Sequence, residues 1–340
     1  MLCGVPWVRK NWTIQRLVDR ALTRDRFLDF WASLGNSLED QLRVRSKLNP
    51  FSGVPLRALP SSPLTRLLDE EMVWIMLDRL GIAHPETAGV RKCSCGEKMG
   101  TGRHALRCPQ GGGLNIIHND MRDIVADIHG NAGVTVGRET VRLLPGTVER
   151  PADVHVHGIG GQGRDIAIDV AVVDSQAGGS EAELQRRAFM TSLAARRREA
   201  QKRDARRVPG GPTMEEHLRL RGMDCIPLIF EADGATTGTW ARYLKKLSEI
   251  AHVRRGHNAK YFVAQWRTRV AMTLAKRGAQ VAIRRSHAVQ QQVEADSWGT
   301  DDDLHGYGPL GSFGVELPPE LAADATAHIT CNNSGGFFGA

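Results

Sequence analysis

The sequence predicts a mixed α/β fold in the order helix, three strands, helix, strand. Three observations predict it. Residues 153–173 alternate like a β-hairpin: Val154 and Val156 face one way, Asp153, His155 and His157 the other. Ile166, Ile168, Val170 and Val172 then alternate with Ala167, Asp169 and Ala171, and glycines 158, 160, 161 and 163 mark the turn between the arms. Apolar stripes at helical spacing lie on both sides of this hairpin, and a short apolar run, Cys225–Phe230, follows an arginine-rich segment.

Taken in chain order, Ile14, Leu17, Val18 and Ala21 follow helical spacing, as do Phe27, Phe30, Trp31, Leu34 and Leu38. Ser62-Pro63 signals a helix start and Gly81 a stop, with Leu64, Leu68, Met72, Ile75 and Met76 on one face. After the glycine run 111–113, Ile117, Met121, Ile124, Val125 and Ile128 form the cleanest stripe, ended by Gly130 and Gly133. A strand is expected over Val134–Leu144, then the hairpin, then one long helix over about Glu181–Arg207. Pro227 lacks an N–H for a ladder, so its strand belongs at a sheet edge. Helices carrying Trp240, Tyr243, Leu244, Leu247 and Ile250, and then Phe262, Trp266, Val270 and Leu274, close the body. The expected organisation is a helical N-terminal region (1–90), a zinc-binding knuckle (91–113), the α/β domain (114–290) and an acidic, disordered tail (291–340).

The knuckle rests on Cys93, Cys95, His104 and Cys108, spaced C-x-C-x8-H-x3-C. Three thiols and an imidazole are enough to close a tetrahedral Zn²⁺ shell, which leaves no open position and makes the site structural. The six cysteines are not spaced as a disulfide framework, which predicts a reducing compartment. No apolar run approaches the ~18–20 residues that span a bilayer, so no membrane partner is expected.

Charge points to a polyanion. The net charge is +7, but from Gln291 onward there is no Lys or Arg and there are eight acids. Residues 1–290 therefore carry 45 basic against 30 acidic side chains, or +15.

The hairpin carries the candidate chemistry. A turn symmetric about Gly161 sets Asp153 opposite Asp169, with Cβ atoms ~5 Å apart. Like charges so placed call for a cation between them or a retained proton. Two carboxylates with room for water and phosphate oxygens suit Mg²⁺ or Mn²⁺.

Taken together, Cys-x-Cys-Gly, His-x3-Cys, His118-Asn119, Glu139, Arg150-Pro151-Ala152-Asp153 and Ile168-Asp169-Val170 resemble the C-terminal region of non-LTR retrotransposons with a restriction-like endonuclease. The likeness covers roughly residues 53–282 and includes Arg79-Leu80-Gly81-Ile82 and Phe230-Glu231-Ala232-Asp233-Gly234. It implies a PD-(D/E)XK nuclease-like core and a DNA endonuclease that hydrolyses phosphodiesters at a target site in the nucleus. Asp153 and Asp169 would hold the catalytic Mg²⁺ or Mn²⁺, and Lys202 would position or activate the attacking water. Glu139 would be an auxiliary acid on the first strand, and Cys93, Cys95, His104 and Cys108 the zinc shell. Arg196, Arg197, Arg198, Arg203, Arg206 and Arg207 would bind the phosphates of DNA, or of RNA.

The chain departs from the family pattern. Ala152 is inserted into Arg/Lys-Pro-Asp, Ala205 stands where a Tyr often follows the lysine, and the Asp169–Lys202 segment is long. No polymerase signature is present, so the parent reverse transcriptase region is absent from this chain. The alternative reading is a catalytically inactive or domesticated zinc module that binds nucleic acid. A Lys202 ammonium more than about 8 Å from both carboxylates, beyond a one-water bridge, favours that alternative. His118 reads as a partly buried helix residue rather than a ligand.

Overall fold

Among the described residues, four strands form one mixed sheet, in the order β1-β2-β3-β4. The structure, a computed structural model, describes residues 14–298 apart from 36, 50, 59–61, 64, 86–91, 100–101, 141–142, 144–151, 177–180, 190–191 and 206–210. Residues up to Val293 form one unit, and those from Glu294 onward a second.

The elements are α1 (Ile14–Ser33), α2 (Leu38–Lys47), α3 (Asp69–Leu80), α4 (His104–Arg107), α5 (Gly113–Asn131), β1 (Val136–Arg138), β2 (Val154–Val156) and β3 (Asp165–Val173). There follow α6 (Glu181–Phe189), α7 (Leu193–Asp204), α8 (Met214–Leu220), β4 (Met223–Glu231), α9 (Gly238–Arg255) and α10 (Ala259–Trp298).

β1–β2 and β2–β3 are antiparallel; β3–β4 is parallel and closed by the helical crossover α6–α8. The hairpin pairs Val154 with Ile168, His155 with Ala167 and Val156 with Ile166, the register that symmetry about Gly161 requires. Beyond Val154 the ladder shifts: the Asp153 N–H donates to Ile168 O at 2.9 Å, so Asp153 is not the ladder partner of Asp169 that the symmetric turn predicts. β4 is an edge strand, where a ladder position without an N–H at Pro227 is tolerated.

Both faces of the sheet are covered. Ile166, Ile168, Val170 and Val172 join the α5 stripe and the apolar faces of α9 and α10 in the main core. On the opposite face the residues are small. Ala167 packs with Leu218 of α8, and Ala171 with Ala195 of α7. Alanines let these helices lie close to the strands, and Asp169 sits between the two alanines under α7.

Five expectations need correction. The first strand ends at Arg138 rather than Leu144, because Glu139 turns into the left-handed region with φ +46°. The long arginine-rich helix is two helices, broken where Ser192 takes φ +62°. The break frees α7 to lie across β4 while α6 packs on α2. The Ser62-Pro63 start is displaced to Asp69, where Glu71 returns to the Leu68 N–H at 2.9 Å; Gly81 ends the helix at φ +73°. The glycine run does not separate knuckle from helix, since Gly113 is the first residue of α5. A Cβ there would meet Val281 Cγ1 at 2.6 Å and Ala105 O at 2.7 Å, so the close approach of α10 requires glycine. Finally, 291–298 continue α10 as helix rather than tail; the rest of the tail lies outside the described residues.

Candidate active site and metal centre

Asp153, Asp169 and Lys202 meet in one cleft of about 500 Å³, with Leu114, Asn115 and His118 of α5 on its other wall. Each arrives from a different element. Asp153 immediately precedes β2, Asp169 is central in β3, and Lys202 lies in the last turn of α7. The alternation of β3 turns Asp169 to the alanine face, and helical spacing brings Arg198 and Lys202, four residues apart, to the same side of α7.

Lys202 Nζ donates to Asp169 Oδ1 at 2.9 Å and stands 2.7 Å from Oδ2. Asp153 Oδ2 accepts the Val170 N–H at 2.7 Å, which ties the carboxylate to the strand carrying Asp169. His118 Nε2 stands 3.5 Å from Asp153 Oδ1.

The two carboxyls titrate apart. Burial, with the nearby Asp153 charge, pushes Asp169 above the usual carboxylate value although Lys202 opposes it. At Asp153 burial also pushes upward, but His118 and the Val170 N–H outweigh it and hold the group low. The Asp153 carboxylate in turn draws the His118 pKa upward, against burial. His118 is therefore a partly buried helix residue, as the sequence reading has it, and also a cleft residue beside Asp153, a role that reading did not assign. The available signal was its position four residues after Leu114 and three after Asn115, on the polar flank of an otherwise apolar stripe.

Glu139 is not on a strand. It follows β1, its N–H donates to Asp153 O at 2.8 Å, and its carboxylate pairs with Arg122 of α5. It thus supports the Asp153 backbone, while its acid group is engaged with a guanidinium.

The arginines divide. Arg198 is exposed and lines the cleft. Arg197 pairs with Glu183 of α6 at 2.5 Å, and Arg203 with Glu199 at 3.1 Å and Glu215 at 3.3 Å. Arg196 is exposed on α7. Arg206 and Arg207 lie outside the described residues, as do Arg150 and Pro151.

Cys93, Cys95, His104 and Cys108 do converge: one ligand atom from each lies within 4.8 Å of every other. The Cys93 and Cys108 sulfurs are 3.6 Å apart, and Cys95 Sγ is 3.1 Å from His104 Nε2. A tight turn builds the first half, with the Cys93 N–H on Glu97 O and the Gly96 N–H on Cys93 O, each at 2.8 Å. Gly96 and Gly102 both take φ +89°, which other residues adopt only at a cost. Arg285 of α10 donates to Cys93 Sγ at 2.8 Å. Burial alone would raise the Cys93 thiol, yet the Cys95 backbone and Arg285 bring it down to about 6. Three sulfurs and an imidazole so gathered can bind a metal such as zinc.

No family model matches this chain, and no curated protein matches it.

Proposed function

We propose that this chain is a metal-dependent DNA endonuclease of retrotransposon origin, with the cleft of Asp153, Asp169 and Lys202 as its active site. The observation that carries the reading is the meeting of two carboxylates and an ammonium from three separate elements, with Lys202 Nζ 2.7 Å from Asp169. That is far inside the limit beyond which the binding-module reading would be preferred. The helix, three strands, helical crossover and strand, with β4 parallel to β3, support a PD-(D/E)XK nuclease-like core.

The donor set fits a divalent cation. Asp153 and Asp169 keep 23% and 21% of their side-chain surface exposed, and both offer hard oxygen ligands. A Mg²⁺ or Mn²⁺ held there supplies Lewis acidity toward a phosphodiester. Lys202 neutralises Asp169 and brings positive charge to the point where the phosphate gains negative charge. His118, whose pKa the hydrogen bond with Asp153 draws upward, can take up or return a proton. Arg198 at the cleft wall and the excess positive charge of residues 1–290 would hold the DNA backbone. The Cys93, Cys95, His104 and Cys108 centre, loaded with zinc, would brace the fold beside α10.

Nicking of supercoiled plasmid with Mg²⁺ tests the reading. Wild type should cut, and Asp169→Ala should lose about 10²-fold or more of the rate. Equal cleavage by the two would place the chemistry elsewhere. Salt-sensitive binding of DNA or RNA by wild type, without cutting, would favour the inactive nucleic-acid-binding module, consistent with the engagement of Glu139 by Arg122.

A further inference from the structure

His155, His157 and Asp165 converge near the tip of the hairpin, away from both sites above. His155 Nε2 is 2.9 Å and His157 Nδ1 3.2 Å from the same oxygen, Asp165 Oδ2. The three ligand atoms lie within 4.8 Å of one another, and the two imidazoles, tilted 60° to each other, have centroids 4.2 Å apart. The second carboxylate oxygen, Oδ1, accepts the Gly158 N–H at 2.9 Å and so holds Oδ2 in place.

The β-ladder produces this arrangement. His155 and His157 are two residues apart and share a face. The hairpin register, continued one step past Val156, sets His157 opposite Asp165 and leaves His155 diagonal to it. Ala167, the cross-strand partner of His155, presents only a methyl group on that face. His155 is buried and fixed, while His157 is exposed and leaves one side open.

We propose that His155, His157 and Asp165 form a binding site for a zinc-class divalent ion, with at least one coordination position open to an outside oxygen ligand. Metal–ligand bonds of about 2.0–2.1 Å in octahedral or tetrahedral array set neighbouring ligand atoms about 2.8–3.4 Å apart. The His–Asp separations here, 2.9 and 3.2 Å, are close to that spacing. Two imidazoles with one carboxylate favour Zn²⁺, Co²⁺ or Ni²⁺ over Mg²⁺, which prefers oxygen alone. Three protein ligands leave a fourth position free, unlike the closed shell of the cysteine centre. The site shares the strand face that carries Asp169, four residues or about 13 Å along β3.

Equilibrium dialysis of the full chain against Zn²⁺ and Co²⁺, with the cobalt spectrum recorded, tests the proposal. Cobalt at the cysteine centre gives thiolate charge-transfer bands; an ion at the His155 site adds d–d absorption without them. The expected result is a further equivalent in wild type that is lost in both His157→Ala and Asp165→Asn, with the thiolate bands unchanged. Asn can still accept the Gly158 N–H, so Asp165→Asn separates ligand loss from damage to the turn. The proposal is overturned if wild type binds only the thiolate-associated ion. It is equally overturned if both variants keep the further equivalent, or if that equivalent disappears in Asp169→Ala instead. In that case Asp165 is simply a hydrogen-bond acceptor shared by two imidazoles.

Discussion

At the scale of single residues, Lys202 and Glu231 show how burial sets chemistry. Among the described residues lining the cleft Lys202 is the only lysine, and its ammonium offsets the Asp169 charge. On the proposed endonuclease reading, Lys202→Met should lower cleavage about 10²-fold or more while DNA affinity changes little, because Arg198 and the rest of the basic surface remain. Parallel nicking and filter-binding measurements would check it. Glu231 ends β4 almost fully buried, and burial pushes its pKa to about 7; its Oε1 accepts the Ala195 N–H at 3.2 Å. An acid raised in the folded state holds a proton that the unfolded chain releases. Stability therefore falls as pH rises from about 4.5 to about 7, by on the order of 3 kcal/mol. Glu231→Gln keeps the acceptor and removes the titration, so urea midpoints across that window should flatten. An unchanged slope would mean that another group sets it.

At the scale of elements, the cysteine turn and α10 depend on each other. Val289 of α10 packs on Cys93, Met99 and Cys108, and Arg285 reaches Cys93. The turn itself has few apolar contacts, so a bound metal would supply much of its order. Cys108→Ser should remove the zinc bound at the cysteine centre and lower the melting temperature, and a chelator should lower it in wild type as well. Metal analysis and calorimetry on one preparation would show it. A melting temperature indifferent to both treatments would mean that the turn is held by packing alone. The break at Ser192 is the other consequence at this scale, since α7 can present Lys202 to β3 only by leaving the direction of α6.

At the scale of the molecule, a buried ionic cluster joins regions far apart in sequence. Arg103, beside the cysteine turn, reaches Asp174 at the end of β3 at 2.7 Å and Asp233 after β4 at 2.5 Å. It also lies 3.4 Å from Asp78 of α3, and Lys47 of α2 pairs with both Asp78 and Asp233. The Arg103 and Lys47 charges hold the Asp233 carboxyl far below the usual range in spite of its burial. Arg103→Ala leaves these carboxylates under-compensated and should cost about 3–5 kcal/mol in chemical denaturation. A loss under about 1 kcal/mol would show that water replaces the guanidinium. α10 adds a second tie: Arg269 pairs with Asp127 at 2.8 Å and Arg277 with Asp120, while Gln280 donates to Glu71 of α3 at 2.6 Å.

Periodicity and local spacing made much of this protein legible. The α5 stripe, the hairpin, the edge position of Pro227 and the four zinc-type ligands are all patterns written within about twenty residues, and local backbone geometry converts such patterns directly into shared faces. What needed the folded chain was every relation across long separations. The 2.7 Å approach of Lys202 to Asp169, the pairing of His118 with Asp153, the diversion of Glu139 to Arg122 and the convergence on Arg103 depend on how helices cross the sheet. A left-handed residue at Glu139 or Ser192 redirects the chain without leaving a mark in hydrophobic periodicity. The sequence by itself determined which residues could share a strand or a helix face, because that is set by backbone repeat. Tertiary structure alone decided which charges meet, because that is set by packing and by the burial that makes each unpaired charge costly.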